Sequence, residues 1–137
     1  ASAMLKTYHG SCHCGRLEFE ADIDLDAGTR RCNCTLCTKT RAWTAIIRPD
    51  AFRVIDGEDY LKDYMFAGNG VHHLFCARCG VRGFSRGYVE EIGGHFVSVY
   101  LTALDDLDPG ELAAAPVKYL DGRNDAWDHV PAETRHL

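Results

Sequence analysis

Phe75-Cys76-Ala77-Arg78-Cys79-Gly80 sets two thiols three residues apart and follows them with glycine. A tight turn of this kind aims both sulfurs at one point. The glycine takes a positive φ and lets backbone N–H groups approach the sulfurs. This is a zinc-knuckle arrangement, and it supplies two of the four ligands that a closed tetrahedral site requires. Gly10-Ser11-Cys12-His13-Cys14-Gly15 offers the other two, with a glycine in the matching position. Residues i and i+2 of an extended segment face the same way. Modest bending then brings the sulfurs of Cys12 and Cys14 to the ~3.8 Å separation that tetrahedral Zn–S bonds of ~2.3 Å impose. The expectation is a structural zinc held by Cys12, Cys14, Cys76 and Cys79, stapling the N-terminal strands to the middle of the chain.

A third group, Cys32-Asn33-Cys34-Thr35-Leu36-Cys37, completes the seven cysteines of the 137-residue chain. Three ligands do not close a tetrahedron. They leave one position open, as reactive centres do, and a zinc so held suits capture and ionisation of a substrate thiol. Three other readings stand beside this one. The cysteines are free buried thiols, a different set of four makes the single site, or Cys34 and Cys37 form a redox pair. The last lacks the surrounding βαβ pattern that such pairs usually have.

The length suits one domain. Hydrophobic residues at 46% and charged residues at 26% are an ordinary globular balance. No apolar run approaches the about 18–20 residues of a membrane span. Ala1-Ser2-Ala3 ahead of Met4 reads as a cloning remnant, leaving residues 4–137 as the domain, with no signal peptide recognised. Seven cysteines without such a peptide point to reduced thiols and a cytoplasmic protein. Fifteen Lys+Arg against twenty Asp+Glu give a net charge of −5. That balance argues against nucleic acid, whose binding is chiefly a phosphate–cation interaction. No membrane partner is expected either.

Turn residues come often: Gly28, Pro49-Asp50, Asp56-Gly57, Gly68-Asn69-Gly70, Gly93-Gly94, Asp108-Pro109-Gly110 and Asp121-Gly122. Between them lie short stretches of strand character: 5–9, 16–21, 43–47, 52–55, 60–66, 71–75, 83–88 and 95–101. The clearest is His95-Phe96-Val97-Ser98-Val99-Tyr100-Leu101, where alternate residues suit a half-buried strand. Thr35 to Ala42 is a candidate helix with Thr35 as N-cap, and Pro109 to Ala114 a candidate single turn. The fold is expected to be mainly β, a single domain of short antiparallel strands stapled by zinc knuckles.

The three cysteine motifs, in this order and spacing, resemble those of the glutathione-dependent formaldehyde-activating enzyme family, whose zinc domain is shared with centromere protein V. The stretch from Pro116-Val117 to Asp121-Gly122, followed by Asp125-Ala126-Trp127, is similar to the family's C-terminal end, so the resemblance covers nearly the whole chain. It implies a β-tent fold, a structural zinc at Cys12, Cys14, Cys76 and Cys79, and a catalytic zinc at Cys32, Cys34 and Cys37; the open position of the second site invites exchange and suits a labile metal. It implies a small-molecule thiol such as glutathione and an aldehyde as partners. The implied reaction is reversible joining of formaldehyde to the thiol, giving S-hydroxymethylglutathione; in reverse this is carbon–sulfur bond cleavage. Two positions depart from the usual motif. Thr35 stands for Ser and keeps the hydroxyl, and Asn33 stands where His is frequent.

Arg30 and Arg31 precede the reactive motif, and Lys39 and Arg41 follow it. They read either as partners for glutathione's carboxylates or as a solvated charged face. Cleavage needs a base for the hydroxymethyl proton, which the sequence does not name. His72 and His73 are adjacent in a predicted strand, so only one faces any given side, and they read as surface or core histidines rather than as that base. His13 and His95 have no special claim. Trp43 and Trp127 read as core packing ahead of a pocket wall, and Asp125 and Asp128 as turn and capping groups ahead of a catalytic pair. Two functions compete with a carbon–sulfur lyase: a non-catalytic zinc-stabilised binding module, and a thiol redox protein. The intact second motif favours the enzyme, because a scaffold needs only the four-cysteine site.

Overall fold

The computed structural model describes residues 5–66 and 70–137. The opening Ala1-Ser2-Ala3 and most of the Gly68-Asn69-Gly70 turn therefore lie outside the described residues. The alternating segment becomes a strand at the centre of a seven-stranded sheet. In chain order the elements are β1 (Lys6–Ser11), β2 (Glu18–Ile23), β3 (Thr29–Cys32), α1 (Thr35–Thr40), β4 (Thr44–Ile47), β5 (Phe52–Asp56), β6 (Leu61–Tyr64), β7 (His72–Cys76), β8 (Phe84–Val89), β9 (Gly94–Tyr100), α2 (Pro109–Ala114) and β10 (Val117–Leu120). The large sheet runs β10-β3-β4-β9-β8-β7-β6 and a small one runs β1-β2-β5. All pairings are antiparallel except β10 with β3. The mainly β architecture of short antiparallel strands is thus as expected. Among the described residues no helix is long and apolar enough to cross a membrane.

The two sheets meet through alternate residues. Leu17, Phe19, Ala21 and Ile23 are fully buried along the small sheet, because the period of two turns every second side chain inward. Phe19 packs against Phe52 and Phe84 with ring centroids 5.3 and 6.0 Å away, and Phe52 and Phe84 are 4.5 Å apart. Gly10 lies against this cluster. A Cβ there would stand 2.3 Å from the Phe19 ring, so glycine is required by close packing. Ala45, Leu74, Phe84, Val97 and Val99 share the inward face of the large sheet. The opposite face carries Arg30, Thr44 and Tyr100 in one row and Ile46, Ser98, Ser85 and His73 in the next, as the strand register dictates.

Several boundaries differ from the sequence expectation for local reasons. The second strand starts at Glu18, because Gly15 and Arg16 complete the turn out of Cys12. The helix of residues 35–42 ends at Thr40, where Arg41 takes a left-handed conformation (φ 52°). Its N-cap is Cys34 rather than Thr35: the Cys34 sulfur accepts the Cys37 N–H. The Pro109–Ala114 segment forms a six-residue helix capped by Asp108. Strands β3 and β10 were not expected. Each has only four residues, too few to show an alternation, and β3 carries two adjacent arginines besides.

Phe19→Ala is expected to lower the unfolding free energy by about 3–5 kcal/mol, the cost of emptying a fully buried aromatic site. Urea unfolding of the metal-loaded chain measures it.

Candidate metal centres

Two turns built alike bring four sulfurs together. At the end of β1, Gly15 donates its N–H to the Cys12 carbonyl and takes φ 81°, while the Leu17 N–H points at the Cys12 sulfur at 3.3 Å. At the end of β7, Gly80 donates to the Cys76 carbonyl with φ 78°, and the Arg78 N–H points at the Cys76 sulfur at 3.4 Å. The Cys14 sulfur is 3.5 Å from that of Cys12 and 3.6 Å from that of Cys76. All four sulfurs of Cys12, Cys14, Cys76 and Cys79 lie within 4.8 Å of one another. These are the separations of ligands on a tetrahedral zinc.

Charge tells the same story. Burial pushes Cys79 up, but N–H groups of Cys14 and Val81 and the neighbouring thiols outweigh it and hold this sulfur down at about 6. Against an N–H from Arg16 that favours the thiolate, burial and the thiols of Cys12, Cys76 and Cys79 push Cys14 up to about 11. Four sulfurs so close ionise together only around a cation. All seven cysteines are free of disulfides, so every sulfur is available as a ligand.

Cys32, Cys34 and Cys37 form a second group within the same 4.8 Å limit. Cys32 ends β3, Cys34 caps α1, and Cys37 stands in its first turn. The Cys34 N–H points at the Cys32 sulfur and the Cys37 N–H at the Cys34 sulfur, each at 3.3 Å. Hydrogen bonds from the thiols of Cys32 and Cys37, reinforced by N–H groups of Cys37 and Leu36, hold Cys34 down at about 2 despite its burial. The same contacts push Cys37 up. These three sulfurs could bind zinc with one position left over.

The loop after β10 braces this cluster through Asn33. The buried Asn33 amide donates to Asp121 Oδ1 at 2.9 Å and its oxygen accepts from the Arg123 N–H at 2.9 Å. Arg123 Nε donates to the Asn33 carbonyl at 3.0 Å, and the Asn33 N–H bonds the Leu120 carbonyl. Gly122 lies directly on the site: a Cβ there would stand 2.7 Å from the Cys32 sulfur and 2.5 Å from the Trp127 ring. Trp127 is therefore not core packing, as expected from sequence, but a half-exposed ring beside Cys32 whose indole N–H is held by Asp125. Trp43, by contrast, donates to Thr29 in the interior.

The structure separates the two adjacent arginines. Arg30 is largely buried; that burial lowers its pKa against the opposing pull of the charges of Cys32 and Cys37. Arg31 is on the other face, its guanidinium 4.2 Å above the Trp43 ring. Lys39 and Arg41 are exposed. His13 and His95 are exposed too, and His72 pairs with Asp63. His73 turns the opposite way. Burial pushes its pKa down, helped by Arg82, while the charge of Cys34 pulls it up. Tyr100 is raised by burial and senses Cys37, Arg82 and Cys34. Sequence reasoning passed over Arg82 and Tyr100, which come near the cluster only through sheet register.

Asn33→Ala removes the brace and leaves the sulfurs. The three-cysteine group is expected to bind metal about 10–100-fold more weakly, and the four-cysteine group as before. Stepwise competition with a zinc chelator checks this.

Two comparisons bear on the site. A solved crystal structure of a Rhodobacter sphaeroides protein, a structural-genomics target, is 29% identical with a TM-score of 0.68. The match covers 80% of this chain and 99% of that one. The sequence profile of the family described as glutathione-dependent formaldehyde-activating enzyme matches residues 7–120, a span that contains all seven cysteines. The chain belongs to the glutathione-dependent formaldehyde-activating enzyme family.

Proposed function

We propose that the chain is a zinc-dependent carbon–sulfur lyase that forms and cleaves S-hydroxymethylglutathione. The observation that carries this reading is the incomplete cluster of Cys32, Cys34 and Cys37 standing beside a complete cluster of four. On this reading Cys12, Cys14, Cys76 and Cys79 hold a structural zinc, and Cys32, Cys34 and Cys37 a catalytic one that exchanges. Zinc at the three-cysteine site would supply an open coordination position that favours the ionised form of a substrate thiol. The unpaired state of all seven cysteines suits a reducing compartment such as the cytoplasm.

The chain's own groups do the rest. N–H groups of Cys34 and Cys37 stabilise thiolate charge on the ligands. Arg30 lies on the cluster's face and offsets that charge. It is also the cation best placed to meet a carboxylate of the thiol substrate. Arg31, committed to Trp43, takes no such part in this reading. Trp127 and Gly122 form a wall at Cys32. The reaction joins a thiol and formaldehyde into an S-hydroxymethyl adduct. A C–S bond forms, the π pair of the carbonyl becomes the hydroxyl oxygen's, and one proton passes from sulfur to oxygen.

Two measurements test the assignment. Elemental analysis should find two zincs per chain in the wild type and one, with unchanged circular dichroism, in Cys34→Ser. Exchange of formaldehyde with glutathione, followed by NMR, should be accelerated by the wild type and slowed at least about 100-fold in the variant. One zinc in both proteins, with no acceleration, would leave a metal-stapled binding module. Separately, Arg30→Met should raise the KM for glutathione several-fold while Arg31→Met leaves it unchanged. The reverse pattern would remove Arg30 from the binding role.

A further inference from the structure

Among the described residues, two side chains keep a buried polar atom without a hydrogen-bond partner: His73 at Nε2 and Arg82 at Nη1. Folded proteins pair nearly all such atoms, so an orphan marks a place where a water or ligand atom belongs. These two are neighbours in space. His73 lies on β7 in the row it shares with Ser85 and Ser98, both buried. Arg82 stands just ahead of β8, its guanidinium 5.4 Å from the Phe75 ring centroid. The His73 ring stacks on Phe66 at 5.3 Å, which fixes its plane. Each is within electrostatic reach of the other, and His73 is within reach of Cys34. His73 is nevertheless not one of the set of ligand atoms that converge with the three sulfurs. Both atoms are therefore buried and unpartnered, His73 on the sheet face that also carries Arg30 and Tyr100. The C-terminal loop lies against Cys32.

We propose that His73 Nε2 and Arg82 Nη1 form the oxygen subsite of this centre, taking the oxygen of a one-carbon thiol adduct. The proposal rests on the reading of the centre as a thiol–formaldehyde enzyme. A thiol brings sulfur to the cysteine cluster, and formaldehyde brings a single oxygen one carbon away. A site for their adduct needs a donor and a proton acceptor close to, but distinct from, the sulfur position. In cleavage the C–S bond breaks and its electron pair stays on sulfur. The hydroxyl proton passes to His73 Nε2 as the C=O bond forms, and Arg82 Nη1 donates a hydrogen bond to that oxygen. In the other direction the thiolate attacks the carbonyl carbon, the π pair moves to oxygen, and His73 returns the proton. Nothing is oxidised or reduced.

The test uses the zinc-loaded full chain with His73→Ala, His73→Gln and Arg82→Met, each first checked for zinc content and circular dichroism. Formaldehyde exchange on S-hydroxymethylglutathione should fall about 100-fold or more in both His73 variants, with glutathione affinity within about twofold of wild type. Added imidazole should restore part of the rate in His73→Ala alone, a response that a merely structural histidine would not give. Calorimetry with S-(2-hydroxyethyl)glutathione and S-ethylglutathione isolates one hydroxyl. The wild type should prefer the hydroxyl compound, and Arg82→Met should lose most of that preference. Variants that turn over like the wild type, or that lose rate without imidazole rescue and keep the hydroxyl preference, overturn the subsite while the enzyme reading stands. A wild type that accelerates nothing and binds neither analogue refutes the enzyme reading, and the subsite falls with it.

Discussion

Four sulfurs converge where two thin sheets meet, and a metal held there would tie the sheets into one body. Cys12 and Cys14 leave the end of β1 in the three-stranded sheet, and Cys76 and Cys79 leave the end of β7 in the seven-stranded sheet. Neither turn closes a site alone. Each presents two sulfurs and aims backbone N–H groups at them, so the turns are arranged for charge on sulfur before the other half arrives. The Phe19, Phe52 and Phe84 cluster fills the space between the sheets. The packing and the staple therefore constrain the same pair of surfaces. The staple also reaches the other side of the sheet. Cys76 and His73 are three residues apart on one strand, which puts them on opposite faces. Anchoring the inward sulfur fixes where the imidazole stands.

A second constraint comes from the parallel pairing of β3 with β10. Parallel neighbours need a long crossover, and here most of the chain serves as one. The loop after β10 is delivered to the three-cysteine motif by that pairing, and Asn33 binds it there from both sides of its amide. The family profile ends at residue 120, directly before this loop. An asparagine suits this place because its amide both donates to Asp121 and accepts from Arg123.

Much of this was legible in the sequence because it is local. Cysteine spacing, the glycines after each knuckle and the alternation through Val97 and Val99 depend on a few neighbouring residues. The grouping of seven thiols into four and three follows the spacing, and the structure arranges them in those groups. What was not legible depends on register between distant strands. Nothing local about Arg82 or Tyr100 ties them to Cys34. Arg30 and Arg31 look equivalent as a pair of letters, and the pleat alone sends one toward the sulfurs and the other onto Trp43. Strands β3 and β10 escaped for a related reason. Four residues with charged side chains carry too little pattern, and their pairing partners supply the order.

The division of the cysteines into a closed and an open set has a physical consequence for the whole design. A metal with an open position exchanges ligands, so a fold that relied on it for stability would loosen whenever it was lost or shared with a substrate. Here the closed set is the one that lies between the sheets. The open set rests on a strand end, a short helix and a loop clamped through one asparagine. Those elements are few and only partly buried, which is where local opening is least costly. On the proposed function, stability and reactivity would be carried by the same chemistry, thiolates on a divalent cation, and kept apart by placing the two sets on opposite faces of one sheet.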